Sequence, residues 1–369
     1  PTDTRPYALL GDPSEAQLLV PVDSWAAASK TVARRTNAMD TVERVRRAAA
    51  GLAIRTGLAS RRLSPTIYVA GRSSDGSTLH EYLADVLGRP SVSLSVAFGP
   101  PRPNQKPIVT VMDEAAEIVA YAKLGWNSAT RDLVVHEANF LTEAADSPMD
   151  GISIPRPLHL GQWRDVAVSV AASVESARFS AWRAPLAEDF AAVANLACQP
   201  YEARWEASPH RARIESALAE ATWTGAAAEA GALAEAVAVI TNDQVFRFGR
   251  WHGDWTPWNT GTQKHRLVLW DWERPATDVP VGLDVIHNEF QPLFSDQSNS
   301  AHDALQTALA KGSQTLRALG IPPAMHRDLG LIYLLELLAR FIPHAEADAD
   351  GAAVTVDRLT RGLGTLLTP

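Results

Sequence analysis

The chain has 369 residues, of which 46% are apolar and 21% are charged, a composition typical of a globular protein with room for two lobes. Its 34 Lys and Arg residues are outnumbered by 42 Asp and Glu residues, and the net charge of -8 excludes the basic surface that nucleic-acid-binding proteins use. The single cysteine, Cys198, excludes an internal disulfide and favours a reducing cytoplasm, and no apolar run resembles a signal peptide or a membrane span.

The first ninety residues predict a small α/β segment without recognisable chemistry. Two short strands are expected across residues 7–23, and a helix rich in Ala, Val, Leu and Arg across residues 25–59. A strand is expected at residues 66–70 and a helix at residues 78–87. We interpret residues 1–90 as an N-terminal extension or cap.

From residue 91 the pattern becomes β-type. Residues 91–98 and 108–112 alternate between apolar and polar side chains, which predicts two paired strands. The turn between them, residues 99–107, contains four prolines. Proline stiffens the backbone and lacks an N–H donor, so this turn is a rigid one.

Two charged residues follow in the next strand and helix. Residues 117–123 form an apolar strand pattern that ends in Lys123, and residues 134–141 have helical spacing and contain Glu137. Taken singly, Lys123 is a strand-end lysine that reaches solvent, and Glu137 is an exposed helix residue. Their order along the chain leaves a second interpretation open, in which the two side chains form a pair.

The second half of the chain is mostly helical in composition. Residues 152–158 and 165–170 predict two more strands. Residues 186–222 and 226–241 are helical by composition, with breaks at Gln199-Pro200 and at Ser208-Pro209. The C-terminal part is also helical, and one apolar stripe is expected to lie in the core: Leu329, Ile332, Leu335, Leu338 and Ile342.

The residues with the clearest chemistry lie between Trp251 and Asp284. Asp254 follows His252 by two residues, and Asn259 comes five residues later. An apolar strand pattern then ends in Trp-Asp-Trp-Glu, which contains Asp271. The alternative is a hairpin with a polar turn that is packed by its tryptophans.

These residues resemble the aminoglycoside phosphotransferase and choline kinase superfamily, whose signature is His-Gly-Asp-x-x-x-x-Asn followed by an apolar strand ending in Asp-Trp-Glu. The resemblance implies a protein-kinase-like α+β fold with two lobes, in addition to the N-terminal extension. The nucleotide-binding lobe would have five strands and span residues 91–174. A helical lobe with the catalytic loop and the acceptor pocket would span residues 175–369.

The resemblance also implies an enzyme, a small-molecule kinase that uses Mg²⁺ and either ATP or GTP. Asp254 would receive the proton of the attacking hydroxyl, and His252 would brace the loop. Asn259 and Asp271 would bind Mg²⁺ through oxygen atoms. Asp284 matches a later position of the family that looks structural.

For the nucleotide, the resemblance implies that Lys123 binds the α- and β-phosphates and that Glu137 holds the lysine. The proline-rich turn departs from the glycine-rich loop expected at this place. Phosphate contacts would then come from side chains of the turn, with Arg102, Asn104 and Lys106 as candidates. The alternative for this turn is a plain rigid hairpin.

The acceptor is expected to be a small molecule such as a sugar, an amino sugar or an antibiotic-like alcohol. Only about a dozen residues separate Asp271 from Asp284, so the long activation segment of a protein kinase is absent. The region after Asp271, up to Asp303, contains Arg274 as its one fixed positive charge and six acidic residues: Glu273, Asp278, Asp284, Glu289, Asp296 and Asp303. This excess of negative charge favours an acceptor with an amino group, unless the acidic residues are helix caps or solvated surface. The alternative function is a non-catalytic nucleotide-binding pseudokinase, which would have no need of Asp254.

Overall fold

The computed structural model describes residues 4–11, 17–33, 41–58, 67–70, 77–99, 105–147, 149–174, 183–221, 224–263, 265–346 and 351–368. The strands are β1 (Thr4–Leu10), β2 (Gln17–Pro21), β3 (Ile67–Ala70), β4 (Ser93–Phe98), β5 (Ile108–Met112), β6 (Ile118–Gly125), β7 (Ile152–Ser153), β8 (Pro157–Trp163), β9 (Val166–Ala172), β10 (Tyr201–Arg204), β11 (Val245–Trp251), β12 (Thr260–Gln263), β13 (Arg266–Leu269) and β14 (Ala276–Pro280). The helices are α1 (Trp25–Val32), α2 (Thr41–Arg55), α3 (Leu79–Val86), α4 (Ser128–Ala144), α5 (Ala187–Ala194), α6 (Pro209–Ala219), α7 (Thr224–Thr241), α8 (Leu283–Phe294), α9 (Ala301–Ala318), α10 (His326–Glu346) and α11 (Ala352–Leu367).

The chain divides into two compact units. The first comprises residues 1–145 and 154–178, and the second comprises residues 146–153 and 179–369. The strand predicted at residues 152–158 is wrong in its extent, because its first two residues form β7 in the second unit while β8 begins at Pro157 in the first.

The first unit is built on one antiparallel sheet of eight strands, in the order β3-β1-β2-β4-β5-β6-β9-β8. The three strands from the first ninety residues belong to this same sheet, because β2 pairs with β4. Alternating side chains of the sheet pack under α3, where Leu83 meets Leu94, Val109 and Val168 in a buried core. Helix α4 packs against β6, β8 and β9.

The second unit contains two small sheets, one with the order β10-β11-β14 and the other with the order β12-β13-β7. Strands β12 and β13 form an antiparallel hairpin. Helix α10 packs against α6, α7, α8, α9 and α11. Its apolar stripe is buried, so the prediction of a core helix between Leu329 and Ile342 is confirmed.

The helix predicted across residues 186–222 is wrong in its middle. Residues Tyr201–Arg204 form the edge strand β10, which pairs antiparallel with β11. The ring of Tyr201 stacks on Phe248 of β11, with the ring centroids 5.5 Å apart. Three of the four residues of β10 are exposed, so the strand has no apolar alternation, and its partner is more than forty residues away. In the described part of the chain, no helix is long and apolar enough to cross a bilayer.

Candidate active site

Lys123 and Glu137 form a close ion pair in the first unit. Lys123 lies on β6 and Glu137 on α4, and the packing of α4 against β6 brings Nζ to 2.6 Å from Oε2. The side chains are 15% and 6% exposed, respectively. The structure therefore brings together the two residues whose pairing the sequence left open. The buried carboxylate of Glu137 holds the ammonium group of Lys123 in one position. An ammonium group has three N–H donors, so a lysine fixed in this way can also bind an anion such as a phosphate.

The described part of the proline-rich turn consists of its two ends, residue 99 and residues 105–107. Arg102 and Asn104 lie outside the described residues, and Lys106 is half-buried and lies two residues before β5. Gln105 donates a short hydrogen bond to the Gly99 carbonyl, so the two ends of the turn are joined across its base.

The loop that carries the motif residues, the candidate catalytic loop, begins where β11 ends, at Trp251. Gly253 has φ +79°, and a Cβ atom at this position would collide with the backbone carbonyl of Arg274. Glycine is required here both by the left-handed backbone and by this close approach. The loop ends in the 3-10 turn Pro257–Asn259, after which β12 begins.

His252 is fully buried inside this loop and braces it. Its Nδ1 accepts a hydrogen bond from the backbone N–H of Asp254, at 3.2 Å. Its Nε2 lies 3.1 Å from the Trp270 carbonyl, so Nε2 carries the proton and donates it to that oxygen. The imidazole also packs on Trp272, with ring centroids 4.2 Å apart. Through these contacts His252 joins the loop to the end of β13.

Asp284, at the first turn of α8, supports the same loop from the other side. Its carboxylate accepts backbone N–H groups from His252, at 2.7 Å, and from Gly253, at 3.2 Å. Burial raises the pKa of Asp284 to about 7, and the two backbone donors act against that rise. The Asp284 carboxyl group therefore supports the backbone of the loop at His252 and Gly253.

Both carboxylate oxygens of Asp254 accept a side-chain hydrogen bond. Oδ2 accepts from Nδ2 of Asn259, at 3.0 Å, and Oδ1 accepts from Nε2 of His287, at 3.1 Å. Burial acts to raise the pKa of Asp254, but the hydrogen bond from His287 and neighbouring positive groups outweigh it and lower that pKa below its usual value. The side chain is still 34% exposed. Asp254 is therefore a fixed carboxylate with an accessible edge.

Asn259 and Asp271 supply oxygen atoms of the kind that Mg²⁺ prefers. Asn259 donates from Nδ2 to both the carbonyl and the carboxylate of Asp254, which leaves its Oδ1 as the atom that can bind a cation. Asp271 follows β13 and has φ +70°, a left-handed conformation that a non-glycine residue rarely adopts. A carboxylate oxygen of Asp271 and one of Glu273 lie within 4.8 Å of each other. The donor set of the second unit therefore fits a hard divalent cation.

Three residues of this loop environment were missed by the sequence reasoning. His287 contacts Asp254, and the Tyr333 hydroxyl lies 2.9 Å from Nδ1 of His287. Arg340 of α10 donates to the Gly253 carbonyl at 2.8 Å. Only His287 had a signal in the sequence, because it follows Asp284 by three residues and so lies on the same side of one helix.

The acidic surroundings expected from the sequence are partly internal structure. Asp284 is buried in the loop, the Asp296 carboxylate accepts the backbone N–H of Ser298, and the Asp303 carboxylate accepts the hydroxyl of Ser300 at the start of α9. Arg274 is half-buried, and desolvation and the neighbouring charge of Arg340 lower its pKa to about 10 while nearby acidic groups act against that fall. With Arg340, two guanidinium groups approach the catalytic loop, so the charge argument for an amino-bearing acceptor is weakened.

A cavity of about 300 Å³ lies next to the catalytic loop, within the second unit. The described residues that line it come from the segment before α5, from the loop, and from α8 and α9: Ala184, Pro185, Phe190, Pro257, Val285, Asn288, Glu289, Pro292, Leu293, Lys311, Gly312 and Thr315. Asn288 also donates to the Trp255 carbonyl, at 3.3 Å, and so connects the cavity wall to the loop. The lining is mostly apolar, with one acidic and one basic side chain.

No protein-family model matches the sequence, and no curated protein matches it. Among solved structures, a thermostable mutant of the aminoglycoside phosphotransferase APH(4)-Ia, in ternary complex with AMP-PNP and hygromycin B, has a TM-score of 0.52 and 12% identity, covering 78% of this chain and 98% of that chain. Another thermostable mutant with the same ligands has a TM-score of 0.51 and 13% identity over 78% and 98% of the two chains. A further APH(4)-Ia structure has a TM-score of 0.50 and 12% identity over 77% and 97%. The chain has the fold of these phosphotransferases, and the protein-kinase-like α+β fold predicted from the catalytic-loop motif is confirmed.

Proposed function

We propose that the chain is a small-molecule kinase, which transfers the γ-phosphoryl group of ATP or GTP to a hydroxyl group of a small acceptor with the help of Mg²⁺. The observation that carries this proposal is the environment of Asp254. Its carboxylate is ionised, is held at both oxygens and keeps an accessible edge. An immobile carboxylate with an open edge suits the orientation of an attacking hydroxyl.

In the proposed reaction the acceptor oxygen forms a bond to the γ-phosphorus, and the bond from that phosphorus to the bridging oxygen breaks. The nucleoside diphosphate leaves with the electron pair of the broken bond. The acceptor hydroxyl donates its hydrogen bond to Asp254 and gives up its proton to that carboxylate, from which the proton passes to solvent. His252 and Asp284 keep the loop backbone in place while the charge moves.

Asn259 and Asp271 would hold Mg²⁺, through Oδ1 and a carboxylate oxygen, respectively. When bound, the ion supplies positive charge to the phosphate oxygens. Glu273 lies close enough to Asp271 to hold either the same cation or one of its waters.

We assign nucleotide binding to the lobe at residues 91–174 and the acceptor pocket to the lobe at residues 175–369, with residues 1–90 as an N-terminal extension. Lys123, fixed by Glu137, would bind the α- and β-phosphates as a point charge. Lys106 is a secondary candidate for phosphate contact, and Arg102 lies outside the described residues.

Two observations support a small acceptor. The segment between Asp271 and Asp284 contains the strand β14, which pairs with β11, so this segment is already used in the fold. The cavity next to the loop has a volume of about 300 Å³, the lower end of the range for small-molecule sites. Its mixed lining, with Glu289 and Lys311, favours a neutral or zwitterionic compound over a strongly acidic one.

A non-catalytic nucleotide-binding protein is the alternative. It has no need of a carboxylate that is held at both oxygens and left accessible, and the geometry of Asp254 therefore argues against it.

The test is nucleotide consumption with ATP or GTP against a panel of sugars, amino sugars, aminoglycosides, nucleosides and choline-like alcohols. We expect Mg²⁺-dependent turnover with a small acceptor, and a product whose mass has increased by one phosphoryl group. The matched variants are Asp254→Asn, which should lose turnover, and Asp296→Asn, an exposed acidic residue outside the loop, which should keep it. Nucleotide binding without turnover for any acceptor, or phosphorylation of a protein and of no small molecule, would contradict the proposal.

A further inference from the structure

His287 and Tyr333 form a buried chain of hydrogen bonds that ends at Asp254. The Tyr333 hydroxyl lies 2.9 Å from Nδ1 of His287, and Nε2 of His287 lies 3.1 Å from Oδ1 of Asp254. Both His287 and Tyr333 are completely buried, on α8 and α10. Neither residue belongs to the sequence motif that identified the loop.

The contacts determine which nitrogen of His287 carries the proton. The Asp254 carboxylate has no proton to give, so Nε2 must donate to it. Nδ1 must then accept, and the hydroxyl of Tyr333 supplies the donor. Burial acts against a charged ring and lowers the pKa of His287, although its hydrogen bond to Asp254 opposes that effect. The imidazole is therefore neutral, with a single orientation and a single tautomer.

We propose that His287, oriented by Tyr333, is a positioning residue that fixes the carboxylate plane of Asp254 for the acceptor hydroxyl. A single donor, Asn259, would leave that carboxylate able to rotate about its Cβ–Cγ bond. Two donors on opposite oxygens define the plane and direct the remaining lone pairs to the accessible edge. This inference rests on the proposed phosphoryl transfer, since it concerns how that reaction is aligned.

A positioning role for His287 and a purely structural role predict different effects of a substitution on kcat and on KM. A loss of alignment lowers the turnover number, because a misplacement of about 1 Å can cost roughly 10²-fold in rate. Nucleotide affinity should stay the same, since neither His287 nor Tyr333 belongs to the Lys123–Glu137 pair or to the proposed cation ligands. The expected signature is therefore a fall in kcat without a change in the KM for the nucleotide.

Three variants separate the possibilities. His287→Leu keeps the volume and removes the donor, and kcat should fall by about 10- to 100-fold. His287→Gln places an amide nitrogen near the former Nε2 and should recover most of that loss. Tyr333→Phe removes only one hydroxyl, so it should fold, and should lower kcat by a smaller factor because the ring tautomer is no longer enforced. The assay uses Mg²⁺ with ATP and either the best acceptor of the panel or water, in which case it measures ATP hydrolysis.

An independent measurement uses the protein without nucleotide. In ¹⁵N NMR of the histidine-labelled chain, the signal lost in His287→Leu should belong to a ring protonated at Nε2 and unprotonated at Nδ1. Protonation at Nδ1, equal kcat in His287→Leu and the unmodified protein, or no recovery in His287→Gln would each overturn the inference. Asp254→Ala separates this result from the proposed function: if that variant is inactive while His287→Leu is unchanged, only the inference fails, whereas full activity of Asp254→Ala removes the proposed function itself.

Discussion

The Lys123–Glu137 pair allows a quantitative test of one half of the proposed site. The perturbation is a double-mutant cycle with Lys123→Met, Glu137→Gln and the double variant. Because Nζ and Oε2 are 2.6 Å apart and the side chains are 15% and 6% exposed, each single variant leaves one poorly solvated charge without its partner. Breaking a buried pair in this way costs about 3–5 kcal/mol, and the partial exposure of Lys123 places the expected value at the lower end, about 3 kcal/mol.

The double variant removes both charges, so its loss of stability should be smaller than the sum of the two single losses. We expect a coupling free energy of about 2 kcal/mol or more in urea unfolding. The same cycle, measured by calorimetry with Mg²⁺ and ATP, should show that losing either residue weakens nucleotide binding nearly as much as losing both. Such non-additivity is expected only if the two residues act as one phosphate-binding unit.

A second ion pair in the same unit provides the control. Lys30 and Glu117 also form a contact, but their side chains are 23% and 57% exposed. Exposed pairs contribute about 0–1 kcal/mol, so the matched cycle with Lys30→Met and Glu117→Gln should give little coupling and no change in nucleotide affinity. Additive effects of the Lys123 and Glu137 variants, in both stability and binding, would refute the reasoning.

The remaining predictions concern the catalytic loop and its supports. Asp254→Ala should lower turnover by about two to four orders of magnitude with nucleotide affinity retained, and near-normal steady-state turnover would contradict its assignment. Asp271→Ala should weaken the affinity for the Mg²⁺–nucleotide complex, because the cation loses a negatively charged ligand. Unchanged affinity in calorimetry would count against the assignment of Asp271. Burial raises the pKa of Asp284 to about 7, whereas the carboxyl of an unfolded chain titrates at about 3.9. Between these pH values the folded state keeps a proton that the unfolded chain has lost, so stability should fall by about 4 kcal/mol as pH rises through the whole window. Urea unfolding at pH 5 and pH 8 includes about two of these three pH units, so the unmodified protein should lose about 3 kcal/mol and Asp284→Asn should lose less; equal losses would contradict the prediction. Gly253→Ala should reduce turnover by about 10²-fold, because the backbone is left-handed and a carbonyl blocks the new methyl group, whereas Gly364→Ala, which has open space around it, should have normal kinetics.

Much of the catalytic loop could be predicted because its members are close in sequence. His252, Asp254 and Asn259 lie within eight consecutive residues that form a single loop, and Gly253 adopts the left-handed backbone conformation that the loop requires. Two hydrogen bonds within the loop, from Asn259 to Asp254 and from Asp254 to His252, join residues two to five positions apart. Short-range contacts of this kind follow from local backbone geometry, so a pattern of residue types is enough to indicate them.

The pairing of Lys123 with Glu137 was an intermediate case. The strand and the helix that carry them could each be predicted from periodicity, and the resemblance suggested that the two side chains meet. Whether they meet depends on how α4 packs against β6, and the structure brings their charged atoms to 2.6 Å. Periodicity indicates which face of an element is apolar, but it does not indicate the register at which two faces pack.

The sequence by itself was enough to place His252, Asp254 and Asn259 in one loop, and to predict the apolar core stripe of α10 and the kinase-like order of elements. These features follow from local spacing and from apolar periodicity. Only the tertiary structure decided that the first ninety residues add three strands to the same sheet, that β10 is a strand, and that His287, Tyr333 and Arg340 surround the loop. Each of these results depends on a contact between residues far apart in the chain. Such contacts depend on how whole helices and strands pack, and apart from the three-residue spacing of His287 from Asp284, no local pattern of these residues indicates the partner.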